Sequence, residues 1–258
     1  CNVTGKTALC AKKGTCTNAA SACLVNTDCA AVPGKCPAGL PNTTSCTVNA
    51  DCVAAGKGEL CRKDTHKCVE LKSTECQTIY PSGPIDDDAF IFGSILPTDG
   101  DDKNTGSPIE NSIKLAINDF LSASNGLPPA PGSSASRPLV FVGCNDNSDS
   151  DTAVTAAKHL VNDVGVPAII GAAFSGITIK VTKVTIPAKV LLFSPSATSV
   201  AITNLDNSTP RVVWRTSPPD SFQAQALSFY MSDIEAKVRA QYNVMSSEKI
   251  KVAVLFKG

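Results

Sequence analysis

This sequence has little of what most function classes need. One tryptophan, two methionines and two histidines are spread over 258 residues, and aromatic residues make up 5%. Twenty-three basic residues balance twenty-three acidic ones. With no net field, nucleic acid is excluded as a partner, as is attraction to an acidic membrane surface. No apolar run reaches the roughly 18 residues that a membrane-spanning helix requires. The twelve cysteines include no Cys-x2–4-Cys pair, so zinc spacing is absent. Nor is there a nucleophile–base pair or a phosphate loop, and an enzyme is the least favoured class. No cofactor or metal is expected.

What is present is lopsided. Eleven of the twelve cysteines fall in the first 76 residues, and Cys144 stands alone afterwards. The segment Cys23-Leu24-Val25-Asn26-Thr27-Asp28-Cys29 returns as Cys46-Thr47-Val48-Asn49-Ala50-Asp51-Cys52. Such short repeats bury too little to fold without cross-links, so residues 1–77 are expected to be a disulfide-stapled module in an oxidising compartment. The even set Cys10, Cys16, Cys23, Cys29, Cys36, Cys46, Cys52, Cys61, Cys68 and Cys76 is expected to pair within itself, which leaves Cys1 and Cys144 over. A cysteine at position 1 resembles the first residue of a mature bacterial lipoprotein, implying lipidation of Cys1 and membrane anchoring; a Cys1–Cys144 bridge or a chain boundary is the other reading. Asn2-Val3-Thr4, Asn42-Thr43-Thr44 and Asn207-Ser208-Thr209 match the N-glycosylation acceptor pattern and keep a eukaryotic secreted origin open.

Residues 78–88, with Pro81, Gly83, Pro84 and three aspartates, read as a linker. From Ala89 the pattern becomes alternating strands and helices, which predicts a doubly wound parallel α/β sheet. Phe90–Leu96 is the first strand. Ser107-Pro108-Ile109-Glu110 has the form of a helix start, with Ser107 as N-cap and Glu110 closing a capping box. Strand two is Leu139–Gly143, ending near Cys144 as a partly buried thiol, and Asp151 is the expected cap of the next helix. His159 lies off that helix's apolar stripe and is expected to be exposed. Ala168–Ile170 and Val190–Phe193 are short, continuously apolar and bounded by turns, as strands buried on both faces are. Between them, Ser175–Ala188 suits strand or helix by periodicity; helix is chosen because parallel neighbours need a crossover. Val212–Arg215, a long helix after Asp220 and a strand over Ile250–Phe256 complete the order.

Both apolar runs break into small hydroxyl-bearing turns, at Ser175-Gly176 and at Ser194-Pro195-Ser196-Ala197-Thr198. Carboxyl ends of parallel strands are where open α/β sheets bind ligands. Ile113-Lys114-Leu115-Ala116-Ile117-Asn118-Asp119, Ile169-Ile170-Gly171, Leu192–Thr198 and Arg215-Thr216-Ser217-Pro218-Pro219-Asp220 then arrive in an order that resembles the type I periplasmic binding proteins of the branched-chain amino-acid class. The resemblance covers about two thirds of the chain. It implies that residues 89–245 are the first lobe, that 246–258 begin a truncated or missing second lobe, and that Ser175, Ser196, Ala197 and Thr198 hold the carboxylate of a small ligand. It also implies a non-enzymatic extracytoplasmic receptor or sensor, working with a membrane permease or in self-assembly. The loop Thr98–Thr105 departs from the family in carrying no aromatic residue. A structural or adhesive surface protein that reuses one lobe as scaffold is the alternative. Asn145–Asp151 is similar to a calcium loop but lacks the glycine and distal glutamate of that pattern.

Overall fold

The computed structural model describes residues 46–56, 58–130 and 132–253, together with four two-residue backbone strands nearer the N-terminus. Those four form two antiparallel ladders, Asn2–Val3 (β1) with Lys6–Thr7 (β2) and Cys10–Ala11 (β3) with Thr15–Cys16 (β4). The side chains of Cys1, Cys10, Cys16, Cys23, Cys29 and Cys36 lie outside the described residues, so the lipidation and pairings expected there do too.

The second copy of the repeat is a short helix, Asn49–Ala55 (α1). The Thr47 and Val48 amides donate to Asp51 Oδ2 at 2.8 and 3.2 Å, and Gly56 ends the helix at φ +62°. Leu60–Arg62 (β5) pairs antiparallel with Lys67–Val69 (β6). Cys46–Cys61 and Cys52–Cys68 pin α1 to this hairpin, replacing the apolar core that the segment is too small to build.

Cys76 does not pair within the module. It is bonded to Cys144, which corrects both the parity argument and the free thiol expected at Cys144. The reason is strand register. Cys76–Tyr80 (β7) lies antiparallel along the sheet edge, and Cys76 faces Cys144 of Leu139–Asn145 (β9), the neighbour of Phe90–Leu96 (β8). Both cysteines are fully buried. Residues 78–80, expected in the linker, are therefore the end of β7.

Ala168–Gly171 (β10), Leu191–Ser194 (β11) and Val213–Arg215 (β12) complete one six-stranded sheet in the order β12-β11-β10-β8-β9-β7. Every pairing in it is parallel except β7 with β9. The helices are Lys103–Ala123 (α2), Ser150–Lys158 (α3), Ser175–Ala188 (α4) and Asp220–Tyr242 (α5). On one sheet face Ile95, Val142, Ile169 and Leu192 pack with Leu160, Ile177 and Val181 of the α3–α4 layer. On the other, Leu96 and Phe141 meet Ile113 and Ile117 of α2. Helices on both faces bury strands that are apolar on both sides of the pleat, at roughly 1.5–3 kcal/mol for each large side chain. The sheet is doubly wound.

Three local expectations fail. First, α2 starts at Lys103, not at Ser107, because the Thr105 and Gly106 amides already turn onto the Asp102 carbonyl. Ser107 Oγ instead donates to the Thr98 carbonyl at 3.1 Å, and Glu110 is buried beside Lys114 Nζ at 2.6 Å. Second, Asp149 rather than Asp151 caps α3, accepting the Thr152 amide at 2.8 Å. Third, His159 is not exposed. It opens a π turn, His159–Val164, and its Nε2 lies 3.0 Å from the Leu71 carbonyl, with Nδ1 3.2 Å from Asp163. That contact is one of several docking the module to the lobe: Arg62 bonds the Asn162 and Asp163 carbonyls, and the Asn49 side-chain amide donates to the Ile85 carbonyl at 3.0 Å. The strand expected over Ile250–Phe256 is absent from residues 250–253, and 254–258 lie outside the described residues.

Candidate functional site

β10 and β11 are parallel neighbours with Ala168 opposite Leu191 and Ile170 opposite Phe193. Equal register delivers their carboxyl ends side by side, so the two hydroxyl-bearing turns meet. Ser175 Oγ accepts the Thr198 and Ser199 amides, both at 3.1 Å. Ser196 Oγ donates to the Ala173 carbonyl at 2.7 Å, across the same seam. Ala197 is buried, and its amide donates to Ser194 Oγ at 3.1 Å. Ser194 Oγ in turn donates to the Ala172 carbonyl at 2.7 Å.

All four residues expected to form the site are therefore together, but they are not equivalent. A hydroxyl has one proton and two acceptor positions. Ser175 fills both acceptor positions with amides, so its proton is left to point elsewhere. Ser196 spends its proton on Ala173. The Ala197 and Thr198 amides are already used inside the fold. What remains for an incoming anion is the Ser175 hydroxyl proton, the Thr198 hydroxyl and the first turn of α4. α4 begins at Ser175 itself, and the first N–H groups of a helix have no carbonyl partner within it. A methyl group at Gly176 would meet nothing within 4 Å, so this helix start faces open space. Free N–H groups and the positive end of the helix dipole favour an anion there.

Several residues quoted in the sequence as part of a turn or of the family pattern, but not as site residues, shape the site. Ser194, fully buried, is the strut beneath Ala197. Arg215 at the end of β12 donates to the Ser199 carbonyl at 2.7 Å and to Thr203 Oγ1 at 2.6 Å. Thr216 and Ser217 hydroxyls both donate to the Pro195 carbonyl, at 2.7 and 3.0 Å. The Asp220 amide donates to the Thr198 carbonyl at 2.8 Å, tying the start of α5 to the turn. The Arg-x-x-Pro-x-Asp run carried the signal; its job as a brace needed the register of β11 and β12.

Two loops flank the site on the β8 side. The Thr98 amide donates to Asn145 Oδ1 at 3.0 Å, and Ser148 Oγ donates to Asp102 Oδ2 at 2.7 Å. Among the described residues, the only three metal-ligating groups with ligand atoms within 4.8 Å of one another are Cys46, Cys52 and Cys61, all in disulfides. In the turn Asn145–Asp151, Asn145 Oδ1, Asp146 Oδ1 and Asp149 Oδ1 accept backbone amides, and Ser148 Oγ bonds the neighbouring loop. Among the described residues no helix is long and apolar enough to cross a membrane.

The class that these features define is a doubly wound α/β lobe carrying a double turn at the ends of adjacent central strands. The family model described as periplasmic binding protein matches residues 91–238, more than half of the chain, and the chain belongs to that family. No curated protein matches it. Among solved structures, it is similar to the branched-chain amino acid transporter substrate binding protein LivJ of Streptococcus pneumoniae in complex with isoleucine, at 25% identity and a TM-score of 0.47, over 56% of this chain and 38% of that one. A leucine binding protein LivK of Thermotoga maritima aligns at 22% identity and a TM-score of 0.44, over 55% of this chain and 36% of the other. A Rhodopseudomonas palustris solute binding protein in complex with 3,4-dihydroxy benzoic acid aligns at 24% and 0.43, covering 51% and 32%. The chain thus spans well under half the length of these relatives. Family and disulfides together fit an extracytoplasmic location.

Proposed function

We propose that the chain is the first-lobe part of an extracytoplasmic solute-binding receptor of the ABC-transport type, whose two turns hold the carboxylate of an amino acid or similar small acid. The observation that carries this reading is the pairing of Ser175 Oγ with the Thr198 and Ser199 amides, which joins the turn after β11 to the first residue of α4 and leaves the serine proton to a further partner. Neutral hydroxyl and amide donors suit a transport receptor, since an anion held without a counter-charge can be released again. The relatives with bound isoleucine and 3,4-dihydroxy benzoic acid both carry a carboxylate-bearing ligand, which agrees with an anion as the shared group.

The test is an NMR titration of the chain with leucine, isoleucine and benzoate. One lobe alone is expected to bind in about the millimolar range. Amide shifts should be confined to Ser175–Ile177 and Thr198, and Thr198→Val combined with Gly176→Pro should remove them. Absence of any shift there, or shifts that survive the double substitution, would overturn the reading.

A further inference from the structure

Asp146 stands out among the buried polar groups. It is fully buried in the turn after β9; its Oδ1 accepts the Ser148 amide at 2.9 Å, while Oδ2 is buried with no hydrogen-bond partner. The charged groups acting on it are two further carboxylates, Asp102 at the start of α2 and Asp149 at the start of α3. Among the described residues no lysine, arginine or histidine bonds it. Glu110, the buried acid of α2, lies against Gly143 and is paired with Lys114. A buried anion beside two like charges has to be neutralised or solvated. These three acids do not bring ligand oxygens within 4.8 Å of one another, so they form no carboxylate trio around a metal ion. A proton needs no such shell. Burial, the largest cause, pushes the Asp146 carboxyl up to about 6, with Asp102 and Asp149 adding to it against the Ser148 amide.

The position of this group gives the proton something to control. The Asp146 amide donates to the Leu96 carbonyl at 3.1 Å, and the neighbouring Ser148 hydroxyl clasps Asp102. Together with the Thr98–Asn145 bond, these contacts fasten the loop between β8 and α2 to the turn after β9. β8 lies next to β10, with Ile95 opposite Gly171, so that loop borders the turn that begins α4.

We propose that Asp146 is a proton-operated catch: protonated, it lets the loop Pro97–Asp102 lie docked against the turn after β9, and on ionisation it unlatches that loop at the rim of the two-turn site. The consequence for ligand binding rests on the proposed function; the catch itself does not, and its test uses no ligand. Hydrogen–deuterium exchange of the chain, corrected for intrinsic rates, is followed in residues 97–102 and 145–149 at about pH 5 and about pH 7.5. Exchange in both segments is expected to rise by roughly tenfold or more at the higher pH in the wild type, and to stay slow at both in Asp146→Asn. The Asp146 carboxyl carbon, followed by NMR in the wild type, is expected to titrate well above the ordinary aspartate range, which keeps the proposal testable if the variant does not fold. Equal protection at both pH values, an unchanged pH response in Asp146→Asn, or an ordinary titration would overturn it. So would restoration of protection at the higher pH by millimolar calcium and its loss with chelator, which would make the site a cation site instead.

Discussion

The Thr198 amide donates to Ser175 Oγ at 3.1 Å, so the start of α4 and the turn after β11, 23 residues apart in sequence, are one hydrogen-bonded unit. The Ser199 amide shares the same oxygen. Ser175→Ala leaves both amides without that acceptor, and a loss of about 1–3 kcal/mol in folding stability is expected. Urea denaturation measures it; an unchanged midpoint would mean that the amides find other partners.

The bridge between Cys76 and Cys144 closes a long loop, with a sequence separation of 68. Replacing both cysteines by alanine is expected to cost about 2–5 kcal/mol. Proteolysis of the unreduced protein followed by mass spectrometry should recover a peptide pair joining these two residues. A Cys76 linked to any other cysteine would contradict the register of β7.

Gly171 at the end of β10 has φ +140°, and a methyl group there would lie 2.3 Å from the Ile95 carbonyl oxygen. Backbone cannot yield as a flexible side chain can. Gly171→Ala is expected to destabilise by about 3 kcal/mol or more and to separate β10 from β8. Thermal melting reads the loss, and a wild-type midpoint would rule out this close approach.

Asp206 is buried under the turn leading into β12. The Ser208 hydroxyl, with the Ser208, Val212 and Val213 amides, holds its carboxyl down to about 2. A depressed folded value means that the stabilisation is present above the unfolded value and is lost as pH falls from about 4 to about 2. Asp206→Asn should therefore weaken the fold at neutral pH and flatten the acid limb of a stability–pH curve. A limb of unchanged steepness would assign acid sensitivity to other groups.

For Asp146 the sign is the reverse. Its folded value lies above the unfolded one, so the penalty of ionisation is complete above about pH 6 and is relieved as pH falls towards 4. Asp146→Asn is expected to raise the melting midpoint at neutral pH and to leave it unchanged near pH 4. Equal gains at both would point to a packing effect.

Much of the fold was legible because local and global signals agree in it. Phe90–Leu96 carries five large apolar residues in seven, and the strand has those bounds. Ser175–Ala188 was ambiguous by period, and the crossover rule resolved it as a helix with those limits. Cap patterns misled where a side chain found another partner: Ser107 turns to Thr98, and Glu110 to Lys114 one turn further along α2 and to Thr78 of β7. Cysteine parity failed since a bridge is chosen by strand register, which pairs Cys76 with a residue far along the chain. His159 reads as a surface residue from its helix alone; only the docked module supplies the Leu71 carbonyl. The two hydroxyl-bearing turns were visible as residue types. Which of their protons are already spent was not, because that depends on two strands ending level.

The Cys76–Cys144 bridge also has a mechanical meaning. Tension applied along the chain passes from β7 straight into β9 through two sulfur atoms, bypassing the intervening segment. With the bonded positions 68 apart in sequence, roughly 230 Å of contour is withheld from any stretching of the oxidised protein. Under load the oxidised chain is shorter by that length than the reduced one, and a reductant acts as the release.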